Sequence, residues 1–357
     1  MIGNAILYFL FRDLTAYSVT YAVKFLEFFM PHKFKSRSSH LSSKVGRPKL
    51  SSLKADPENW KLFAYMSANF QHILGTFDLE KQYQLFTDYQ DFSEHRAQTP
   101  VACIETVLKD IPALDQSDPK MWVSFHLGIY QFLPLRLLLR GISVCLIVSK
   151  TVLQEYKVFY ENLLAKFPIS GPLYLQEAED PSIFFKLKKN LQKGYHIFVF
   201  ADGAFGSIDD PKSKLQEVDL LQGSIKVRCG FVRIAMIFNL KILKIVDRSI
   251  DPSGLEAPSI SEITGKKKKH GKDNHQNIIQ DIYSSFEEDL LKCPQTWETW
   301  RYLHRYYYPS SCLQSWKTDH RILPMKDTNE YLLLDKFTYR WHRIDAKQYK
   351  ILSSRIF

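Results

Sequence analysis

The chain has 357 residues, 45% of them hydrophobic and 24% charged, so it can bury a substantial core and is too apolar to be disordered as a whole. A formal net charge of +10 favours acidic partners such as anionic lipid headgroups, an acidic carrier protein or nucleic acid, and charge alone does not choose among them; aromatic residues make up 14%. The five cysteines (Cys103, Cys145, Cys229, Cys293 and Cys312) are scattered and form no C-x-x-C pair, which argues against a disulfide framework or a zinc site and for a reducing compartment.

Residues 1–34 are rich in Leu, Phe, Tyr and Ala, but Arg12, Asp13, Lys24 and Glu27 interrupt the run. No stretch reaches the ~18 to 20 apolar residues that cross a bilayer, and no small-residue cleavage site follows, so neither a transmembrane helix nor a signal peptide is expected. An amphipathic helix in the membrane interface, a helix on the protein's own core and a partner surface all remain open. Residues 35–55 are rich in Ser, Lys and Arg, lack a hydrophobic period and read as a basic linker.

The body is expected over 56–308. Asp56 and Pro57 open a helix whose apolar residues recur at helical spacing until Gly75 stops it, and a second helix is predicted over 100–111. From 121 the texture changes to strands at 121–125, 142–149, 172–175, 195–201 and 240–246. Helices are predicted at 129–140, 152–167, 180–194 and 224–238. Strands alternating with helices predict an α/β fold, a mostly parallel sheet covered by helices on both faces. The lysine run at 265–272 reads as an exposed loop or a site for acidic lipid or carrier. Helices are predicted over 274–291 and 297–307.

In such sheets ligands bind beyond the carboxyl ends of the strands. His126 directly follows one buried strand, and Asp202 follows another with Gly203 and Gly206 behind it. A histidine there suits a general base, since its ordinary pKa of about 6.5 lies near neutrality. The bland alternatives are a half-buried strand-end histidine and a turn-capping aspartate. Arg228 and Arg233 read equally as phosphate ligands or a solvated face, and 129–135 as an acyl-chain groove or ordinary core.

Around His126 the sequence H-L-G-I-Y-Q resembles the H-x4-D/E motif of the lysophospholipid acyltransferase superfamily, in the form found in the lipid A lauroyl/myristoyl acyltransferases. The block from Leu191 to Gly206 is similar to that family's "L-x-x-G … D-Q-x-x-G" segment. Leu221 to Ala235 resembles its next glycine block through Gly223, Gly230 and Ala235, and Pro294 to Arg305 resembles its terminal tryptophan block. The likeness covers about residues 60 to 308 and rests on the order of the four blocks. It implies a glycerol-phosphate acyltransferase-like fold and acyl transfer from an acyl carrier protein or acyl-coenzyme A thioester to a hydroxyl or amine, with His126 as base.

By the same resemblance Gln131 stands where the family has the acid that orients the histidine, and Asp202, Gly203, Gly206, Gly223 and Arg228 bind substrate. No metal and no resident cofactor are implied. The expected partners are the acyl donor, a membrane lipid surface and a lipid, sugar or peptide acceptor, at the cytoplasmic face of the inner membrane, with no nucleic acid. Gln131 carries no charge for an imidazolium. That leaves three readings: another carboxylate such as Asp202 compensates, the acceptor needs less help, or the chain is a non-catalytic acyl-lipid or carrier-binding protein. The family's arginine before the aspartate block is missing, which points to a divergent acceptor. Residues 309–357 read as a β-hairpin turning at Asp335-Lys336 and a short helix. They are similar to the opening half of PqqD-type peptide-recognition modules, or form an ordinary hairpin packed on the body.

Overall fold

A computed structural model describes residues 50–98, 118–166, 171–203, 215–250, 257–264, 274–306, 321–327 and 330–356. The predicted interfacial segment, the helix expected at 100–111, the lysine run and Gly206 lie outside them.

After a single helical turn at Leu50–Leu53, helix α1 (Pro57–Leu74) begins where the Asp56 carboxylate accepts the Asn59 amide at 3.2 Å, and it ends at Gly75, whose φ of 66° supplies the left-handed stop. Helix α2 (Leu79–Gln98) runs back against it, with Phe63 meeting the rings of Tyr83 and Phe86. The α/β body follows: β1 (Lys120–Ser124), α3 (Leu133–Leu139), β2 (Val144–Val148), α4 (Lys150–Leu164), β3 (Leu173–Glu177), α5 (Ile183–Gln192) and β4 (His196–Phe200). A hairpin of β5 (Leu215–Leu220) and β6 (Gly223–Arg228) leads to α6 (Gly230–Ile237), β7 (Lys241–Val246), β8 (Ser259–Ile263) and α7 (Asn274–Lys292).

The central sheet has the order β3-β2-β4-β1-β7-β8, parallel except for the antiparallel edge strand β8. Period-two alternation divides β1 between two cores. Met121, Val123 and Phe125 join the layer formed with α1, α5, α6 and α7, while Trp122 joins the layer under α3 and α4. Helices therefore cover both faces, as the alternation of elements predicts.

Two expectations are corrected. The predicted helix over 224–238 begins with strand β6, because Ile225 and Val227 alternate with Lys226 and Arg228 and pair with β5; only Gly230–Ile237 is helical. The helix expected over 297–307 is a series of 3-10 turns, Glu298–Arg301 and Leu303–Arg305, broken by extended backbone at Trp297.

Beyond the body, β9 (Ile322–Asp327), β10 (Glu330–Asp335) and β11 (Arg340–Ile344) form an antiparallel sheet in the order β11-β10-β9, followed by α8 (Ala346–Ile356). The predicted hairpin thus gains a third strand. It packs on α1: Trp60 donates from Nε1 to the Pro324 carbonyl at 3.0 Å, and His72 from Nε2 to the Lys336 carbonyl at 2.9 Å. No helix among the described residues is long and apolar enough to cross a membrane.

Candidate functional site

Strand register assembles the site. Strands β1 and β4 are parallel neighbours with Ser124 opposite Phe200, and the same offset carried two residues past both strand ends sets His126 level with Asp202. His126 Nδ1 donates to Asp202 Oδ1 at 2.8 Å, and the His126 backbone amide donates to both carboxylate oxygens at 3.1 and 3.0 Å. Oδ2 also accepts from Trp297 Nε1 at 2.7 Å and from the Thr299 hydroxyl at 2.9 Å. Every lone-pair direction of this carboxylate is thus used, so it can stay ionised while nearly inaccessible.

The ring itself is not sealed in. Its side chain keeps 13% exposure against 2% for Asp202, and Nε2 has no hydrogen-bond partner among the described residues. Tyr130 and Phe200 pack against the ring with centroids 4.6 Å away, and Gly203 leaves room beside it, since a Cβ there would stand 3.8 Å from Cε1. Burial alone would lower the His126 pKa. The Asp202 charge and hydrogen bond, with the Glu298 charge behind them, outweigh it and hold the pKa above its ordinary value. Burial likewise opposes ionisation of Asp202, yet the His126 charge and the donated hydrogen bonds keep it below the usual carboxylate range.

The turn carrying His126 is clamped from two sides. Gly128 adopts φ 64° and lies so close to Asp247 that a Cβ would meet Oδ1 at 2.3 Å. Asp247, at the end of β7, accepts the Ile129 amide at 3.1 Å and faces buried Arg136 at 3.3 Å. On the other side the Gly128 amide donates to the Thr296 carbonyl, and the Glu298 amide to the His126 carbonyl at 2.9 Å. The Glu298 carboxylate receives the Tyr130 hydroxyl at 2.6 Å and pairs with Arg96 at 2.8 Å. Burial resists its ionisation, but Arg96 and His126 keep its pKa lowered.

A small cleft opens beside the pair. Ala201, Asp202, Gly203, Trp297 and Thr299 form the end next to His126. Leu215, Ile225, Val227, Tyr283 and Leu303 give it apolar walls, and Lys226, Arg228 and Tyr306 complete it.

These positions revise several residue assignments. Gln131, expected to orient the ring, lies in the 3-10 turn Tyr130–Phe132 and gives its backbone carbonyl to the Tyr160 hydroxyl; the ring nitrogen goes to Asp202. Asp202 stands beneath the histidine and accepts its Nδ1–H, as the reading of a compensating carboxylate expects, and it also lines the cleft. Gly203 and Arg228 line the cleft, whereas Gly223 sits in the distal turn of the hairpin, where Gln222 packs against the end of α1. Arg233 is exposed on α6. Arg96, Asp247, Glu298 and Thr299 were missed, because no local pattern announces a partner 97 to 202 residues away. Trp297 stood in the terminal tryptophan block, the one signal that the segment belonged near the site.

No family model matches the chain, and no curated protein matches it.

Proposed function

We propose that the protein is an acyltransferase that moves a fatty acyl group from an acyl carrier protein or acyl-coenzyme A thioester to a hydroxyl or amine, with His126 as general base. One observation carries this reading: an imidazole at the sheet rim that keeps 13% exposure, hydrogen-bonded through Nδ1 to a buried carboxylate that itself lines an apolar cleft, with no hydrogen-bond partner at Nε2 among the described residues. The N–H on Nδ1 fixes the tautomer, so the Nε2 lone pair accepts a proton.

In this mechanism Nε2 takes the proton from the acceptor O–H or N–H as that atom attacks the thioester carbonyl carbon. The tetrahedral adduct collapses with cleavage of the C–S bond, and the imidazolium protonates the departing thiolate. The products are an ester or amide and a free thiol, and the base returns unchanged. Asp202 supports the imidazolium formed on the way. A glycerol-phosphate acyltransferase-like fold, with work at the cytoplasmic face of a membrane, belongs to the same reading; the apolar cleft walls and the net charge of +10 support it.

The alternative of a non-catalytic acyl-lipid or carrier-binding protein drew on Gln131. With Asp202 in the orienting position that argument loses its footing, because the charge absent from Gln131 is supplied across the strand pair.

The test is incubation of the full chain with radiolabelled acyl carrier protein or acyl-coenzyme A and a membrane lipid extract. Label should pass to an extractable lipid or other acceptor, and His126→Ala should stop this while leaving the circular dichroism spectrum and donor binding unchanged. Transfer that survives His126→Ala removes the proposed base.

A further inference from the structure

Helix α5 holds aromatic side chains out to solvent at the same end of the sheet as His126. It links β3 to β4, which run parallel, so its first turn stands at their carboxyl ends, the rim that carries His126 and Asp202. Leu187 is fully buried, and Ile183 and Leu191 pack on the core beside it, which seats one face of the helix. Register places Tyr174 of β3 opposite Cys145 of β2, whose sulfur accepts the Asn190 side-chain amide at 3.5 Å, so Tyr174 lies on the sheet face that α5 covers.

The outward face of this helix is not uniformly polar. Phe185 is 80% exposed, Phe184 44% and Tyr174 40%. Single exposed apolar residues are ordinary on a protein surface, but neighbouring aromatic rings left in water mark a surface that something covers. Cations follow on the same face: Lys188 is one turn beyond Phe184, Lys189 one turn beyond Phe185, and Lys193 ends the helix. No acid lies on α5 itself. The carboxylates just before it are engaged. Asp180 pairs with Lys186 and accepts the Ser182 amide at 2.8 Å, Glu179 accepts the Lys150 amide at 2.8 Å, and Glu177 is half-buried near Lys186. Lys188, Lys189 and Lys193 have no acidic partner among the described residues.

The order along the helix carries the argument. At 1.5 Å of rise per residue the first lysines stand about 6 Å behind the phenylalanines. Rings foremost and cations a few ångströms behind match a bilayer approached from water, where the hydrocarbon boundary lies beneath the phosphates and lysine stems extend to meet them. A protein interface instead surrounds an apolar centre with a polar rim.

We propose that Phe184 and Phe185 seat this end of the molecule on a bilayer with anionic headgroups, the rings entering the interface while Lys188, Lys189 and Lys193 meet the phosphates. This surface is separate from residues 1–34 and 265–272, which the sequence offered for membrane contact. Docking here turns the His126 rim towards the lipid; the use of that orientation, though not the docking, rests on the acyl-transfer reading.

Co-sedimentation of the full chain with vesicles tests it, using phosphatidylcholine alone and phosphatidylcholine mixed equally with phosphatidylglycerol. The wild type should bind the mixed vesicles, and Phe184→Ser with Phe185→Ser should weaken partitioning on the order of tenfold. Phe185→Ser alone, at the more exposed position, should act in the same direction, and unchanged thermal melting checks that the fold is intact. Lys188→Gln with Lys189→Gln should cost on the order of tenfold on mixed vesicles at low salt and nothing on phosphatidylcholine. Serine variants that bind as the wild type does overturn the site, as does a wild type that binds neither vesicle. Self-association in sedimentation velocity that disappears with the phenylalanines, in a chain that ignores vesicles, assigns the patch to a second copy instead. Vesicle binding needs no turnover: docking without acyl transfer sinks only the acyl-transfer reading, and transfer with serine variants that still bind sinks only the docking site.

Discussion

A general base must be neutral to work, and the surroundings of His126 work against neutrality. Burial favours the neutral ring, but the carboxylates of Asp202 and Glu298 outweigh it and raise the pKa above the ordinary value of about 6.5. The acidic limb of kcat/KM should therefore fall above about 6.5, with activity rising as the imidazolium loses its proton. The same shift has an opposite sign for stability. The ion pair's contribution is complete below the unfolded-state pKa and disappears as pH climbs through the higher folded value. Asp202→Asn should move the kinetic limb to lower pH and cost roughly three to four orders of magnitude in kcat, as loss of the orienting carboxylate does in triads. Glu298→Gln keeps an acceptor for Tyr130 but removes a charge, so it should shift the limb down by less; a pH–rate profile that stays in place would show that Glu298 acts only on structure. Little of this was legible beforehand. His126 and Asp202 declared themselves as polar residues ending buried runs, whereas Gln131 drew attention through a local spacing that the turn Tyr130–Phe132 carries away from the ring.

At the scale of elements, the catalytic turn depends on a glycine. Gly128 holds a left-handed φ of 64° hard against Asp247, so Gly128→Ala combines backbone strain with a collision at 2.3 Å. It should destabilise the protein by roughly 2 kcal/mol or more in urea unfolding and lower kcat sharply, because any relief displaces the adjacent histidine. Helix α1 was readable from its cap, periodicity and terminal glycine, and the strands from their apolar runs. The β5–β6 hairpin was not, because Ile225, Val232 and Ala235 also satisfy a helical spacing and only pairing with β5 decides between the two periods.

Across the whole molecule, the C-terminal sheet is joined to α1 by a buried polar contact. Lys336 is 2% exposed, with Nζ donating to Ser67 Oγ at 3.2 Å and Gln82 Oε1 at 3.3 Å. Burial lowers its pKa to about 7. Between that value and the unfolded lysine's value of about 10.4, the unfolded chain holds a proton that the folded one lacks, so this group makes stability rise with pH across the interval. Lys336→Met should flatten that rise, as measured by chemical denaturation of both proteins at neutral and alkaline pH; identical slopes would place the lysine in water. His72, held near 4 by burial, adds nothing to this interval.

The alternation of strands and helices from β1 to β4, the burial of both sheet faces and the two rim positions at His126 and Asp202 follow from the amino-acid sequence by itself, because periodicity and the residue after an apolar run are local properties of a chain. Which carboxylate serves the histidine belongs to the tertiary structure. Parallel pairing of β1 with β4 sets the offset that brings Asp202 under the ring, and Trp297, Thr299 and Glu298 arrive from nearly a hundred residues or more along the chain to complete it. Such contacts depend on strand order and register, which a pattern confined to neighbouring residues does not encode.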